Sequence, residues 1–168
     1  MRTEWNLLTG SEAIVSLIVI TALYFVSLYS YLLFHTLVEM TIIIIAVMLF
    51  MITCFSRKTT RNNYMLFLGI SYLFIAIIEL FHALAYKGIE VFPAQDADLP
   101  TQLWIGTRYL EAATFLIAPM IMKKELKAYS TLGIYAIITT ILLVSIFSNN
   151  FPACYIEDTG LTTFKIYS

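Results

Sequence analysis

The chain has 168 residues, of which 60 % are hydrophobic and 12 % charged, with a formal net charge of −1. Soluble domains carry about 25 % charged residues, so this composition excludes a chain that covers itself with a polar surface. No Lys/Arg tract marks a nucleic-acid partner, and two distant cysteines, Cys54 and Cys154, do not make a disulfide framework. The composition points instead to an all-α, polytopic membrane helix bundle in a lipid bilayer. A helix needs roughly 20 mostly apolar residues to cross a hydrocarbon core, and about five stretches reach that length.

The first span is expected over Glu12 to Leu33. It reads as a retained helix, because no small-residue cleavage site follows the N-terminal segment. The second runs from His35 to Phe55, with only Tyr31 to Thr36 left for a tight hairpin between them. A basic loop from Ser56 to Asn63 follows, then a third span from Tyr64 to Tyr86. The loop from Lys87 to Pro100 holds Glu90, Asp96 and Asp98. The fourth span is expected from Thr101 to Met122, with Pro100 at its start, where a missing N–H costs least. Pro119 is expected to kink its last turn. A second basic loop, Lys123 to Lys127, leads to a fifth span over Tyr129 to Phe147 and a polar connector from Ser148 to Lys165. No internal repeat is present.

Short cytoplasmic loops retain Lys and Arg. Arg57, Lys58 and Arg61 follow the second span, and Lys123, Lys124 and Lys127 follow the fourth. This pattern predicts a multi-pass membrane protein with a cytoplasmic N-terminus. The first hairpin, the acidic loop and the Phe151 region then face outward.

Ionisable side chains inside spans cost roughly 2.5–3.5 kcal/mol each, and this chain has several. His35 and Glu39 stand at i, i+4 in the second span. Glu79 and His82 stand at i, i+3 in the third, and Arg108 and Glu111 at i, i+3 in the fourth. Each spacing places its pair on one helix face. At 1.5 Å per residue, Glu39 lies one or two turns below the outer surface, His82 and Glu79 about 7–12 Å in from Lys87, and Arg108 and Glu111 about 10–15 Å in from Thr101. Three helices thus bring six ionisable groups to one layer.

Three chemistries suit that set. His35, Glu39, Glu79 and His82 are candidate ligands of a transition metal ion, since imidazole and carboxylate at these spacings are how a helix supplies two ligands. A b-type haem on His35 and His82 is a weaker fit, because no small-residue lane accommodates the macrocycle. The plain alternative is an ion-paired polar plug in which Arg108 neutralises a glutamate. Arg108, Glu111, Gln102 and Trp104 are candidate ligand-binding residues, with Gln102 and Trp104 near the mouth. Trp104 precedes Arg108 by four residues, so it reads as an interfacial anchor or a stacking partner. Trp5 fits an interface belt.

The segments Phe34-His35-Thr36-Leu37-Val38-Glu39, Asn62 to Ile70, Phe81 to Gly88 and Leu99 to Ile105 resemble the third class of bacterial and archaeal membrane-associated sensor domains. Arg108-Tyr109-Leu110-Glu111, Phe151 to Cys154 and Gly160 to Thr162 add to that resemblance, which covers nearly the whole chain from about residue 7. It implies an N-terminal sensory module that precedes a cytoplasmic histidine kinase or diguanylate cyclase, in a two-component or related signal-transduction system. It also implies further spans and an output module beyond Ser168, so the chain is expected to be the N-terminal part of such a module. The function expected is reception of a stimulus in an outward-facing His/Glu/Arg pocket. A homodimer is compatible with it. The chain is expected to be a receiver and not an enzyme, with no nucleotide-binding glycine loop. The rival reading is a membrane metal-dependent hydrolase that uses the same His/Glu cluster with a water on an open metal position.

Overall fold

The structure, a computed structural model, describes residues 2–60, 62–89, 91–92, 97–122 and 125–168, without the side chains of residues 2–9, 58 and 60. Arg61, Glu90, Asp96, Lys123 and Lys124, together with the side chains of Trp5 and Lys58, lie outside the described residues. Part of the expected charge pattern therefore falls there. The elements are α1 (Arg2–Tyr29), α2 (Tyr31–Thr60), α3 (Asn63–Ala85), α4 (Asp98–Ile121), α5 (Ala128–Phe147), β1 (Tyr155–Ile156), β2 (Gly160–Leu161) and α6 (Thr163–Tyr167). The chain divides into two compact units, Met1–Val38 and Glu39–Ser168.

The first unit holds α1 and the start of α2. The break between them is the single residue Ser30, and not the Tyr31–Thr36 turn that the sequence suggested. The Ser30 N–H donates to Val26 O at 2.9 Å, which ends α1. Its hydroxyl accepts from Leu33 N–H at 3.3 Å, and its carbonyl accepts from Phe34 N–H at 3.0 Å, which starts α2. One serine thus closes one helix and caps the next. Tyr31–Thr36 therefore belongs to α2 and not to a loop.

In the second unit α2 presents a narrow seam of buried residues, Glu39, Ala46 and Thr53. Seven residues separate each from the next, which is two helical turns on one face. Thr53 meets Gly69 of α3, where an added Cβ would overlap the threonine side chain. Glu39 meets His82 at the other end of α3. The pairing runs in opposite chain directions, so α2 and α3 are antiparallel. Contacts Tyr72–Glu111 and Glu79–Arg108 set α4 antiparallel to α3. Gly106 against Leu142 and Thr114 against Tyr135 set α5 antiparallel to α4.

The core lies around α3, with Phe67, Ile75, Ile78, Leu103, Leu110, Tyr135 and Ile146 buried together. Tyr135 takes Phe74 in a stack and Phe67 edge-on. Local chemistry fixes the helix ends. The Asn62 side chain accepts from Met65 N–H at 3.1 Å at the start of α3. Helix α4 begins at Asp98, three residues before the expected Thr101, so Pro100 lies inside its first turn, where it forfeits no helical hydrogen bond.

Among the described residues, four helices are long and apolar enough to cross a membrane: Gly10–Tyr29, Tyr31–Arg57, Asn63–Ala85 and Ala128–Phe147. The fold is all-α with spans at the expected places. Helix α4 has 24 residues, enough to cross, but it carries Asp98, Arg108 and Glu111. Arg108 and Glu111 pair with groups of α3, the helix with which α4 packs most extensively, and Asp98 binds the segment after α5. After α5, residues 151–168 fold back on α4. Strands β1 and β2 form a small antiparallel hairpin, Tyr155 opposite Leu161 and Ile156 opposite Gly160. Its turn uses positive φ at Asp158 (75°) and Gly160 (82°), a conformation that Gly and Asp tolerate best.

Candidate functional site

The polar layer is built on consecutive turns of α3. Glu79, 1 % exposed, forms an ion pair with Arg108 Nη2. The other fork of the same guanidinium, Nη1, donates to Glu111 Oε2 at 2.6 Å. Glu111 Oε1 accepts from the Tyr72 hydroxyl at 2.9 Å. Arg108 thus stands between two carboxylates, one from each helix, and the planar fork suits this double role. Its place in the layer is central.

One turn further along α3, the His82 ring is held from two sides. Its Nδ1 lies 2.8 Å from Pro100 O. A carbonyl only accepts, so Nδ1 carries a hydrogen and donates. Its Nε2 faces Glu39 Oε1 at 3.7 Å. Glu39, Glu79 and Glu111 are three carboxylates around one permanent cation, Arg108. With all three ionised, the layer lacks two positive charges, or one if His82 is an imidazolium. Buried charge of one sign demands compensation by protons or a cation. His35 falls in the first unit, where its ring lies 6.3 Å from that of Tyr31.

The remaining expected residues divide. Trp104 lines a cavity of about 430 Å³ that also includes His82, Lys87, Tyr155, Leu161 and Lys165 in its walls. The Lys165 ammonium lies 3.4 Å from the Trp104 ring centroid, and the Arg108 guanidinium lies 5.8 Å from the same ring. Gln102 is buried, away from the cavity wall. Its amide donates to Asp98 Oδ2 at 2.9 Å and to the carbonyls of Phe151 and Pro152 at 3.4 and 3.3 Å. It therefore ties α4 to the 151–168 segment.

Sequence reasoning missed the clamp beside it. Asp98 Oδ1 accepts from the Cys154 N–H at 2.6 Å and from the Tyr155 N–H at 2.7 Å. Only the acidic residue in the first turn of α4 hinted at it. Cys154 is fully buried, and burial, aided by the Asp98 carboxylate, pushes its thiol up to about 11. Lys165 was read as a connector residue, yet it forms the cavity wall. Tyr72, the hydroxyl partner of Glu111, gave no signal among eleven tyrosines.

The fold, the apolar helices and the polar layer can be set beside known proteins. No curated protein matches the chain, and no solved structure does. A family profile described as a membrane-associated sensor domain, of the third class, matches residues 26–168. That range takes in the whole second unit and every residue of the site just described, and so the chain belongs to the membrane-associated sensor domain family.

Proposed function

We propose that this membrane sensor domain receives its stimulus at the polar layer between α2, α3 and α4 and passes it to a cytoplasmic histidine kinase or diguanylate cyclase module. In this reading the layer lies toward the outer face of the cell inner membrane, with the N-terminus in the cytoplasm. The placement of Arg57 and Lys127 at the opposite helix ends supports that orientation. A transition metal ion is the group we place in the layer, between His82 Nε2 and Glu39, with Glu79 within one turn.

The observation that carries the reading is the His82 geometry. A metal-bound histidine commonly donates its other ring N–H to a carbonyl or carboxylate, and Nδ1 does so to Pro100 O. Donor atoms about 2.0–2.1 Å from a tetrahedral metal stand about 3.3 Å apart, and Nε2 and Oε1 are 3.7 Å apart. A divalent ion would also supply the positive charge that the three carboxylates lack. Occupancy would then alter how α2, α3 and α4 pack, which is how a ligand with different affinity for two states shifts their populations.

Two measurements test this. Metal analysis of purified protein should find about one transition-metal equivalent per chain, lost in His82→Ala and in Glu39→Ala. A haem band in the visible spectrum, or no metal in protein from metal-supplemented cells, would overturn the metal assignment. Separately, the domain fused to a kinase or cyclase should be locked on or off by Glu79→Ala, His82→Ala or Arg108→Ala, with membrane insertion near normal. If all three variants respond like the parent, the layer is a structural plug.

A further inference from the structure

We propose that the cavity beside His82 is a binding site for an anionic amphiphile, a carboxylate or phosphate group on a short apolar body. Lys165 and Lys87 would hold the anion, and Trp104, Tyr155 and Leu161 would take the apolar part. This site is distinct from the metal reading of the polar layer and stands or falls without it, because it is read by binding and not by signalling.

The argument begins with charge. The cavity wall contains two lysines and, among the described residues, no carboxylate. Neither lysine forms an ion pair among the described residues. Asp98, in the first turn of α4, already accepts from the Cys154 and Tyr155 amides and from Gln102. Across His82 from the cavity, Glu39 faces the ring and is not part of the wall. Among the described residues, the cavity is thus a basic pocket next to an acidic layer, with no carboxylate in its wall.

The shape and the walls then set the ligand's body. Pockets for small molecules are mostly apolar, with a few placed polar groups, and Trp104, Tyr86, Tyr155, Leu161 and Pro100 supply the apolar share here. At about 30 Å³ per atom-sized group, a volume of about 430 Å³ holds roughly 14 such groups, which is the size of a medium-chain carboxylate. Lys165 is also presented rather than dangling. Its ammonium rests on the Trp104 face, and Thr162, which accepts from Lys165 N–H at 3.3 Å, caps the short helix that carries it. Burial lowers the proton affinity of the Lys165 amine, a penalty that a bound anion would relieve.

The test uses octanoate as probe, with octan-1-ol and octylammonium as controls of equal chain length. The protein is placed in phosphatidylcholine nanodiscs. Trp5→Phe leaves Trp104 as the sole tryptophan, so its fluorescence reports on the cavity wall. Octanoate should give a saturable change, and octylammonium should not. Lys165→Met should weaken octanoate binding by about tenfold or more, as loss of a charge-assisted contact does, while Lys165→Arg should stay within about threefold. Octan-1-ol or octylammonium binding as tightly as octanoate would overturn the proposal, and this arm needs no lysine variant to fold. An unchanged affinity in folded Lys165→Met would overturn it as well. Nanodiscs of phosphatidylglycerol separate the sources. Loss of the octanoate response there assigns the site to an anionic lipid, and its retention assigns it to a free carboxylate.

Discussion

Arg108→Met is the perturbation that most directly probes the polar layer. It keeps an unbranched apolar stem and removes the charge, leaving Glu79 buried at 1 % exposure without its cation. Breaking a buried ion pair from one side costs about 3–5 kcal/mol. Arg108 itself is 37 % exposed, so water already screens part of the pair, and about 2–3 kcal/mol is the better expectation. Glu111 loses the same guanidinium but keeps the Tyr72 hydroxyl at 2.9 Å, so most of the loss falls on Glu79. For a chain of this size 1 kcal/mol moves Tm by roughly 2–4 °C, which gives a fall of roughly 4–12 °C for Arg108→Met in neutral detergent. The reasoning makes a sharper claim about the double variant. Arg108→Met with Glu79→Gln removes the stranded charge and should recover about half of the loss or more. A double variant as unstable as Arg108→Met alone, or a single variant within about 1 kcal/mol of the parent, would refute the view that Arg108 is there to compensate Glu79.

Gly69→Val should lower stability by about 1–3 kcal/mol, because its side chain must enter space held by Thr53. Thermal unfolding of Gly69→Val with and without Thr53→Ala checks this, and a second change that restores nothing would count against the α2–α3 seam. In a Cys54→Ser background Cys154 is the sole thiol. Its burial and its pKa of about 11 leave almost no thiolate at pH 7.5, so maleimide labelling should be very slow. Asp98→Ala, which releases the Cys154 and Tyr155 amides, should speed labelling by about tenfold or more; equal rates would show that Asp98 does not hold the segment down.

What could be read from the sequence was set by short-range rules. The apolar spans were legible because a bilayer demands uninterrupted runs of fixed length. The common depth of Glu39, Glu79 and Arg108 was legible because rise per residue is constant along a helix. The break at Ser30 was not, since no Gly or Pro interrupts Glu12 to Phe55 and the only cue is a serine three residues before Leu33. The partners of the polar residues were also hidden. His82 with Pro100 O, Tyr72 with Glu111 and Lys165 with Trp104 join residues 18, 39 and 61 positions apart, and helix period says nothing about such pairs. Gln102 went astray for the same reason. Its depth suggested the pocket mouth, but the carbonyls of Phe151 and Pro152 claim its amide, and those come from a segment whose path only tertiary structure fixes.

The same contacts distinguish α4 from its neighbours. Helices α3 and α5 meet through aromatic rings, Phe67 and Phe74 on Tyr135 and Phe81 on Phe147. These rings pack stacked or edge-on and bury apolar area. Helix α4 adds directional groups along most of its length to the apolar packing of Leu103 and Leu110. Asp98 and Gln102 bind the 151–168 segment at one end, Arg108 and Glu111 bind α3 in the middle, and Thr114 meets the Tyr135 hydroxyl at 2.7 Å further on. Directional contacts are made or broken in steps, so a helix held by them has discrete positions. A sensor needs an element with two arrangements whose balance a ligand can tip. The cavity and the polar layer both lie against α4, and the far end of α4, at Ile121, leads to the basic loop that ends at Lys127. A change of charge or occupancy at either site therefore bears directly on α4, a helix that polar contacts help to hold.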